Sequence, residues 1–182
     1  ATPHGAVEEV LGEAGVIAVG DSPVGLAEAL RQALARSPQD RLGALVIQTE
    51  FRGHCLSSPL RFVPQLEAWL QENGAPDAIV KNAGVSGDTT RGGVERFEWS
   101  MAEGGDAVIV ELGGNDLLRG IDPASSRENL DGILVKASKQ DLPVLLTGMQ
   151  APLNYGPEYK EAFDAMYPEL AEEHGAIYDP FF

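Results

Sequence analysis

Short apolar runs alternate along this chain with stretches in which apolar positions recur every three or four residues. The runs are Gly15 to Val19, Ala44 to Ile47, Ala78 to Val80, Ala107 to Val110, Leu142 to Thr147 and Ala176 to Tyr178. A continuous apolar run bounded by turn residues reads as a strand buried on both faces, the kind found in parallel sheets. Between the runs, Leu26, Leu30 and Leu34 mark one helix face, Val63, Leu66 and Leu70 a second, and Val94, Phe97 and Met101 a third. Leu130, Ile133, Leu134 and Ala137 mark a fourth, and Tyr159, Phe163, Met166 and Leu170 a last one. Its aromatic and Met spacing is that of core packing rather than of a cofactor site. Strands alternating with helices in this way predict an α/β fold with a parallel sheet.

The punctuation agrees. Ser37-Pro38 and Asn73-Gly74 close helices, and Asp122-Pro123 opens one, with an N-cap acceptor followed by proline at the first helical position. Two strands empty into small polar loops, NAGVSGDTT at 82 to 90 and GGND at 113 to 116. In open parallel sheets ligands bind beyond the carboxyl ends of the strands, so these loops would converge on one cleft. Taken alone, GGND is equally a capping turn. The exit of the Leu142 to Thr147 strand, Gly148-Met149-Gln150-Ala151-Pro152, belongs on the same rim.

Composition narrows the function. The 182 residues suit a single domain, 1–182, and carry 13 basic against 28 acidic side chains, a net charge of -15. Nucleic acid and anionic membranes need clustered Lys and Arg, so neither is an expected partner. Cys55 has no second cysteine to pair with, and no Cys/His spacing suggests zinc. No apolar run has the length of a membrane span, and no charged-then-apolar signal stretch is read at the start of the sequence. A mature exported protein would look the same, so a periplasmic or extracellular location is expected, with a cytoplasmic one as the alternative.

NAGVSGDTT and GGND, followed by LRGIDP at 118 to 123 and LLTGMQAPLNYGPEY at 145 to 159, resemble in order and spacing the SGNH (GDSL) hydrolases. The likeness is to the bacterial arylesterase, lysophospholipase and thioesterase I group. It covers residues 62–182, while 1–61 depart from the family pattern. The resemblance implies a three-layer α/β/α sandwich with a flavodoxin-like parallel sheet, an irregular N-terminal third, and no cofactor or metal. It also implies roles. The main-chain amide of Gly87 and the side-chain NH2 of Asn115 would hold the oxyanion, while Asp21, Asp116, Met149 and Pro152 would face substrate.

The family's nucleophile lies in a GDS block straight after the first buried strand. VIAVGDS at 16 to 22 supplies that block and nominates Ser22, although Pro23 replaces the usual Leu and the distance from Ser22 to Gly87 exceeds the family's. At the expected distance stands LVIQTEFRGH, with Thr49 in the serine's place. Either an extra strand-helix unit follows Ser22 or the first 60 residues are of another kind. The bland alternative is that Asp21-Ser22-Pro23 caps the next helix.

The family's base and its orienting carboxylate form a D-x-x-H pair after the last strand, and none occurs here. Of the three histidines, His174 ends the last predicted helix, where imidazoles commonly meet free carbonyls, His54 falls in a loop, and His4 is near the amino terminus. The expectation is that the pair lies beyond Phe182. A rearranged order is the alternative, since Ala1 to Ala6 resembles what usually follows the catalytic His. The functional expectation is a serine ester hydrolase acting through an acyl-enzyme on aryl or short acyl esters, with thioesters and lysophospholipids as further classes. The alternative is a non-catalytic binding protein of the same fold. A nucleotide-binding domain lacks its glycine fingerprints here. Oligomeric state is not legible.

Overall fold

A computed structural model of the protein describes residues 44–49, 62–72 and 75–180. The predicted Gly15 to Val19 strand and Leu26 to Leu34 helix lie outside the described residues. In chain order the elements are β1 (Ala44–Thr49), α1 (Phe62–Glu72), β2 (Ile79–Asn82), α2 (Thr90–Ser100), β3 (Ala107–Glu111) and the short α3 (Gly114–Leu118). There follow α4 (Pro123–Ser138), β4 (Val144–Thr147), a 3-10 turn (Leu153–Tyr155), α5 (Pro157–His174) and β5 (Ile177–Asp179).

All pairings are parallel and the strand order is β2-β1-β3-β4-β5, which is the flavodoxin-like arrangement. Alternate residues of each strand face opposite layers. Val46, Val108, Val110, Val144 and Leu146 pack under α2, α4 and α5, against Phe97, Leu130, Ile133, Phe163 and Tyr167. Ile47, Ile109 and Leu145 pack on the other face against Leu66 and Leu70 of α1. The chain is therefore a three-layer α/β/α sandwich. Each fully buried Leu, Ile or Phe contributes about 1.5–3 kcal/mol, so the helix stripes legible in the sequence supply the cohesion of both layers.

Helix ends follow the expected chemistry. Asp122 caps α4, accepting from Ala124 N at 2.9 Å with Pro123 next to it, and Thr89 caps α2, accepting from Gly92 N at 3.3 Å. Gly175 stops α5 in the left-handed conformation, φ 62. The GND stretch opens a short helix, α3, with Gly113 at its N-cap and no side-chain cap there.

Candidate active site

Because β1 lies between β2 and β3, its carboxyl end, Thr49, is flanked by the loop that leaves Asn82 and the loop that leaves Glu111. The loop after β2 is built from its own polar groups. Asn82 Oδ1 accepts from Gly84 N at 2.9 Å, Asp88 N donates to Val85 O at 3.1 Å, and Gly87 takes φ 75. Asp88 Oδ2 accepts from Arg96 Nε at 2.5 Å, and Arg96 also donates to the carbonyl of Ala83. Both partners of the Asp88–Arg96 pair are largely buried, so the loop is clamped to the second turn of α2. A Cβ on Gly92 would stand 1.8 Å from the Asp88 carboxylate, so only glycine fits beneath the clamp.

The loop after β3 is shaped from the opposite side. Gly113 has φ 127, and a Cβ there would meet the Tyr167 hydroxyl at 2.1 Å. That hydroxyl donates to Leu112 O at 3.1 Å. Tyr167 is the inner end of an aromatic ladder on and before α5: Tyr155, Tyr159, Phe163 and Tyr167 have successive ring-centroid separations of 5.0, 6.0 and 5.7 Å. The ladder runs from the exposed rim into the core.

The two loops are joined twice. Arg119, just past α3, donates from Nη2 to Gly87 O at 2.7 Å. Asp116 accepts from Thr90 N at 2.9 Å and from Thr90 Oγ1 at 2.5 Å. Gly87 and Asn115 thus sit on neighbouring, cross-linked loops, Gly87 exposed and Asn115 half-buried. Asp116 departs from the expectation that it faces substrate. It is 0% exposed, and its oxygens also accept from Ser126 Oγ at 2.9 Å, so the carboxylate is turned inward onto α2 and α4.

Met149 and Pro152 lie on the next loop along the rim. Met149 packs against the core and Pro152 is exposed. Their loop is anchored where Asp164 accepts from Ala151 N at 2.7 Å and Lys160 donates to Ala151 O at 2.7 Å and to Asp164 at 2.6 Å. Ser22 and Asp21 lie outside the described residues, as do His4 and His54. Sequence reasoning missed Glu111, which ends β3 opposite Thr49 and is 2% exposed, because it reads as the last residue of an apolar strand.

Two titrating groups near this rim are shifted. Burial raises the Tyr159 phenol above its ordinary value, helped by the nearby Tyr155, Asp116 and Asp122, and its hydroxyl donates to Ile121 O at 2.8 Å. Burial, then Asp179 and Asp164, raise Tyr178 likewise. Among the described residues one group of metal-ligand types comes together, Asp131, Glu173 and His174. It lies where the carboxyl end of α5 meets α4, at the end of the sheet opposite these loops. His174 Nε2 is hydrogen-bonded with Asp131 Oδ1 at 2.7 Å, and Glu173 is ion-paired with Arg127 at 2.5 Å.

Residues 48–182 match the model of the GDSL-like lipase/acylhydrolase family. The chain belongs to that family. Esterase TesA of Pseudomonas aeruginosa is 43% identical over 122 residues, 66% of this chain and 60% of that protein. Thioesterase 1/protease 1/lysophospholipase L1 of Escherichia coli K12 is 39% identical over 116 residues, 63% of this chain and 56% of that one. This GDSL-like chain therefore spans between 56% and 60% of the length of the curated relatives it matches. Among solved structures, the SGNH-hydrolase family esterase AlinE4 superposes with TM-score 0.71 at 42% identity, covering 76% of each chain. A crystal structure of TesA does so with TM-score 0.68 at 38% identity, covering 76% of this chain and 78% of that one. The family match starts at residue 48, within β1, and leaves Ser22 upstream of it.

Proposed function

We propose that this GDSL-like chain is an ester hydrolase in which the Gly87 amide and the Asn115 carboxamide stabilise the oxyanion. The observation that carries the reading is the double cross-link between their loops, Arg119 to Gly87 and Thr90 to Asp116, beside the end of the central strand. In this reading a side-chain hydroxyl attacks the ester carbonyl carbon and an imidazole takes its proton. Two donors meet the negative oxygen, the alcohol leaves with the proton, and water then releases the acyl group. Ser22 is the proposed nucleophile. A second reading gives that place to Thr49, which is favoured by its position at the end of β1 between the two loops and by the family match that begins at 48.

Aryl or short acyl esters are the proposed substrates, with Met149 and Pro152 lining the neighbouring rim. The esterase and thioesterase names of the relatives support this class without narrowing it. A periplasmic or extracellular location belongs to the same reading. The proton shuttle is an imidazole that the family pattern sets after the last strand.

The test, made on a chain that carries the expected Asp-x-x-His pair, is hydrolysis of p-nitrophenyl acetate and butyrate together with labelling by a fluorophosphonate probe, the labelled residue being read by mass spectrometry. Turnover with label on Ser22, abolished by Ser22→Ala, supports the first reading. Label on Thr49 moves the nucleophile there. Absence of both hydrolysis and label overturns the enzymatic reading in favour of a binding protein of the same fold.

A further inference from the structure

Among the described residues, Asp116 is a fully buried carboxylate at this rim that the proposed reaction leaves unused. It follows Asn115 directly, and the residue it holds, Thr90, comes three positions after Gly87. We infer that Asp116 is a positioning residue that sets the separation of the Gly87 amide from the Asn115 carboxamide, an inference that rests on the proposed oxyanion role of those two groups.

Three hydrogen bonds converge on it from two elements, α2 and α4. Thr90 N, at the first position of α2, reaches Oδ2 at 2.9 Å, while Thr90 Oγ1 and Ser126 Oγ reach Oδ1 at 2.5 and 2.9 Å. Asn129 Nδ2 donates to Thr90 Oγ1 at 3.1 Å. That bond occupies a lone pair of the hydroxyl and directs its only proton to Asp116. The carboxylate also stands at the positive end of the 11-residue helix α2, whose first backbone N–H it accepts. At 0% exposure water does not compete for these bonds. A carboxylate with three converging donors in a dry site fixes its neighbours in one arrangement more tightly than exposed contacts can.

Asp116 touches neither substrate nor reacting atoms in this scheme. It ties the backbone one residue after Asn115 to the backbone three residues after Gly87. Ordinary cohesion of the rim is a different role and makes different predictions. An oxyanion donor displaced by a fraction of an ångström still binds ground-state ester, so loss of Asp116 would lower kcat and leave KM nearly alone.

The experiment uses a chain that carries the expected Asp-x-x-His pair. Asp116→Asn keeps the side-chain volume and loses one acceptor oxygen. Thr90→Val removes a single donor, and Thr90→Ser restores it. Leu134→Ala, which empties core volume on α4 away from both loops, matches for lost stability. We expect kcat to fall about tenfold to a hundredfold in Asp116→Asn, the scale of a misplaced reacting group, with KM within about twofold. Thr90→Val shows a smaller fall that Thr90→Ser reverses, and Leu134→Ala lowers Tm without changing kcat. A second measurement needs no turnover: the backbone amide signals of Gly87 and Asn115 in the 15N–1H spectrum move together in Asp116→Asn and Thr90→Val but not in Leu134→Ala. Unmoved Gly87 and Asn115 signals in Asp116→Asn, or a kcat loss in Leu134→Ala equal to that in Asp116→Asn, overturns the inference. An unmodified chain that hydrolyses nothing removes the proposed function, while the amide signals still decide whether Asp116 holds the two loops together.

Discussion

Arg119 reaches across from the end of α3 and donates from Nη2 to the carbonyl oxygen of Gly87 at 2.7 Å. The bond is exposed, so its net stabilising effect is small, about 0.5–1.5 kcal/mol at most. Its effect on position is larger, because it pins the one residue whose amide is a proposed oxyanion donor. Arg119→Gln is therefore expected to change Tm by less than about 3 °C while lowering kcat severalfold. Thermal unfolding and initial rates on p-nitrophenyl butyrate, measured on the same preparation, check both halves.

Removing the carboxamide itself is the sharper perturbation. Asn115→Ala is expected to lower kcat by about 10²–10³, the scale for losing one preorganised donor, with the fold retained. Stopped-time hydrolysis assays alongside circular dichroism separate the two effects. A loss of less than tenfold would take Asn115 out of the oxyanion role.

Gly113 combines a strained backbone with a close neighbour. Its φ of 127 strains any side chain, and a Cβ would stand 2.1 Å from the Tyr167 hydroxyl. Strain and overpacking together predict that Gly113→Ala loses roughly 2–5 kcal/mol of stability. Tyr167→Phe relieves the crowding at the expense of the bond to Leu112 O. In the Gly113→Ala background it should recover part of the loss, which urea unfolding of the two single variants and the double variant would measure.

The raised phenol of Tyr159 gives a pH dependence of known sign. Folding holds its proton more tightly than the unfolded chain does, so its contribution is fully present below the ordinary tyrosine value of 10.0 and is lost as pH rises through the folded value. Tyr178, raised for the same first reason, acts in the same direction. Urea unfolding from neutral pH to above 10 should show stability falling at the alkaline end. In Tyr159→Phe that limb should be shallower, and stability near neutrality should drop by about 1 kcal/mol through loss of the bond to Ile121 O. An identical alkaline limb in the variant would remove Tyr159 as its source.

The sheet was legible because buried parallel strands leave continuous apolar runs. Ala78 to Val80, Ala107 to Val110 and Leu142 to Thr147 each became a strand, with boundaries shifted by a residue or two. The helix stripes were legible for the same reason, since Leu130, Ile133, Leu134 and Ala137 all face the core. The site was only half legible. Glycine loops announce where backbone can be approached, and this pointed to 82–90 and 113–116. It could not tell which way a side chain turns. Asp116 reads as a rim carboxylate until Thr90 and Ser126 are brought to it by the packing of α2 and α4, partners 26 and 10 residues away in the chain. Glu111 was hidden in the same way, at the end of a run whose apolar character drew the eye to its other members.

The aromatic ladder of α5 has a consequence for the order of assembly. Tyr167 supplies the wall against which the Gly113 turn is set, yet it follows that turn in the chain and leaves the ribosome after it. Until α5 has docked, the turn after β3 has backbone freedom that the finished protein denies it, and a nascent chain carries the loops without their final relation. Stalled chains ending before Pro157 should accordingly be cut by proteases near residue 113, and those extending past His174 should resist.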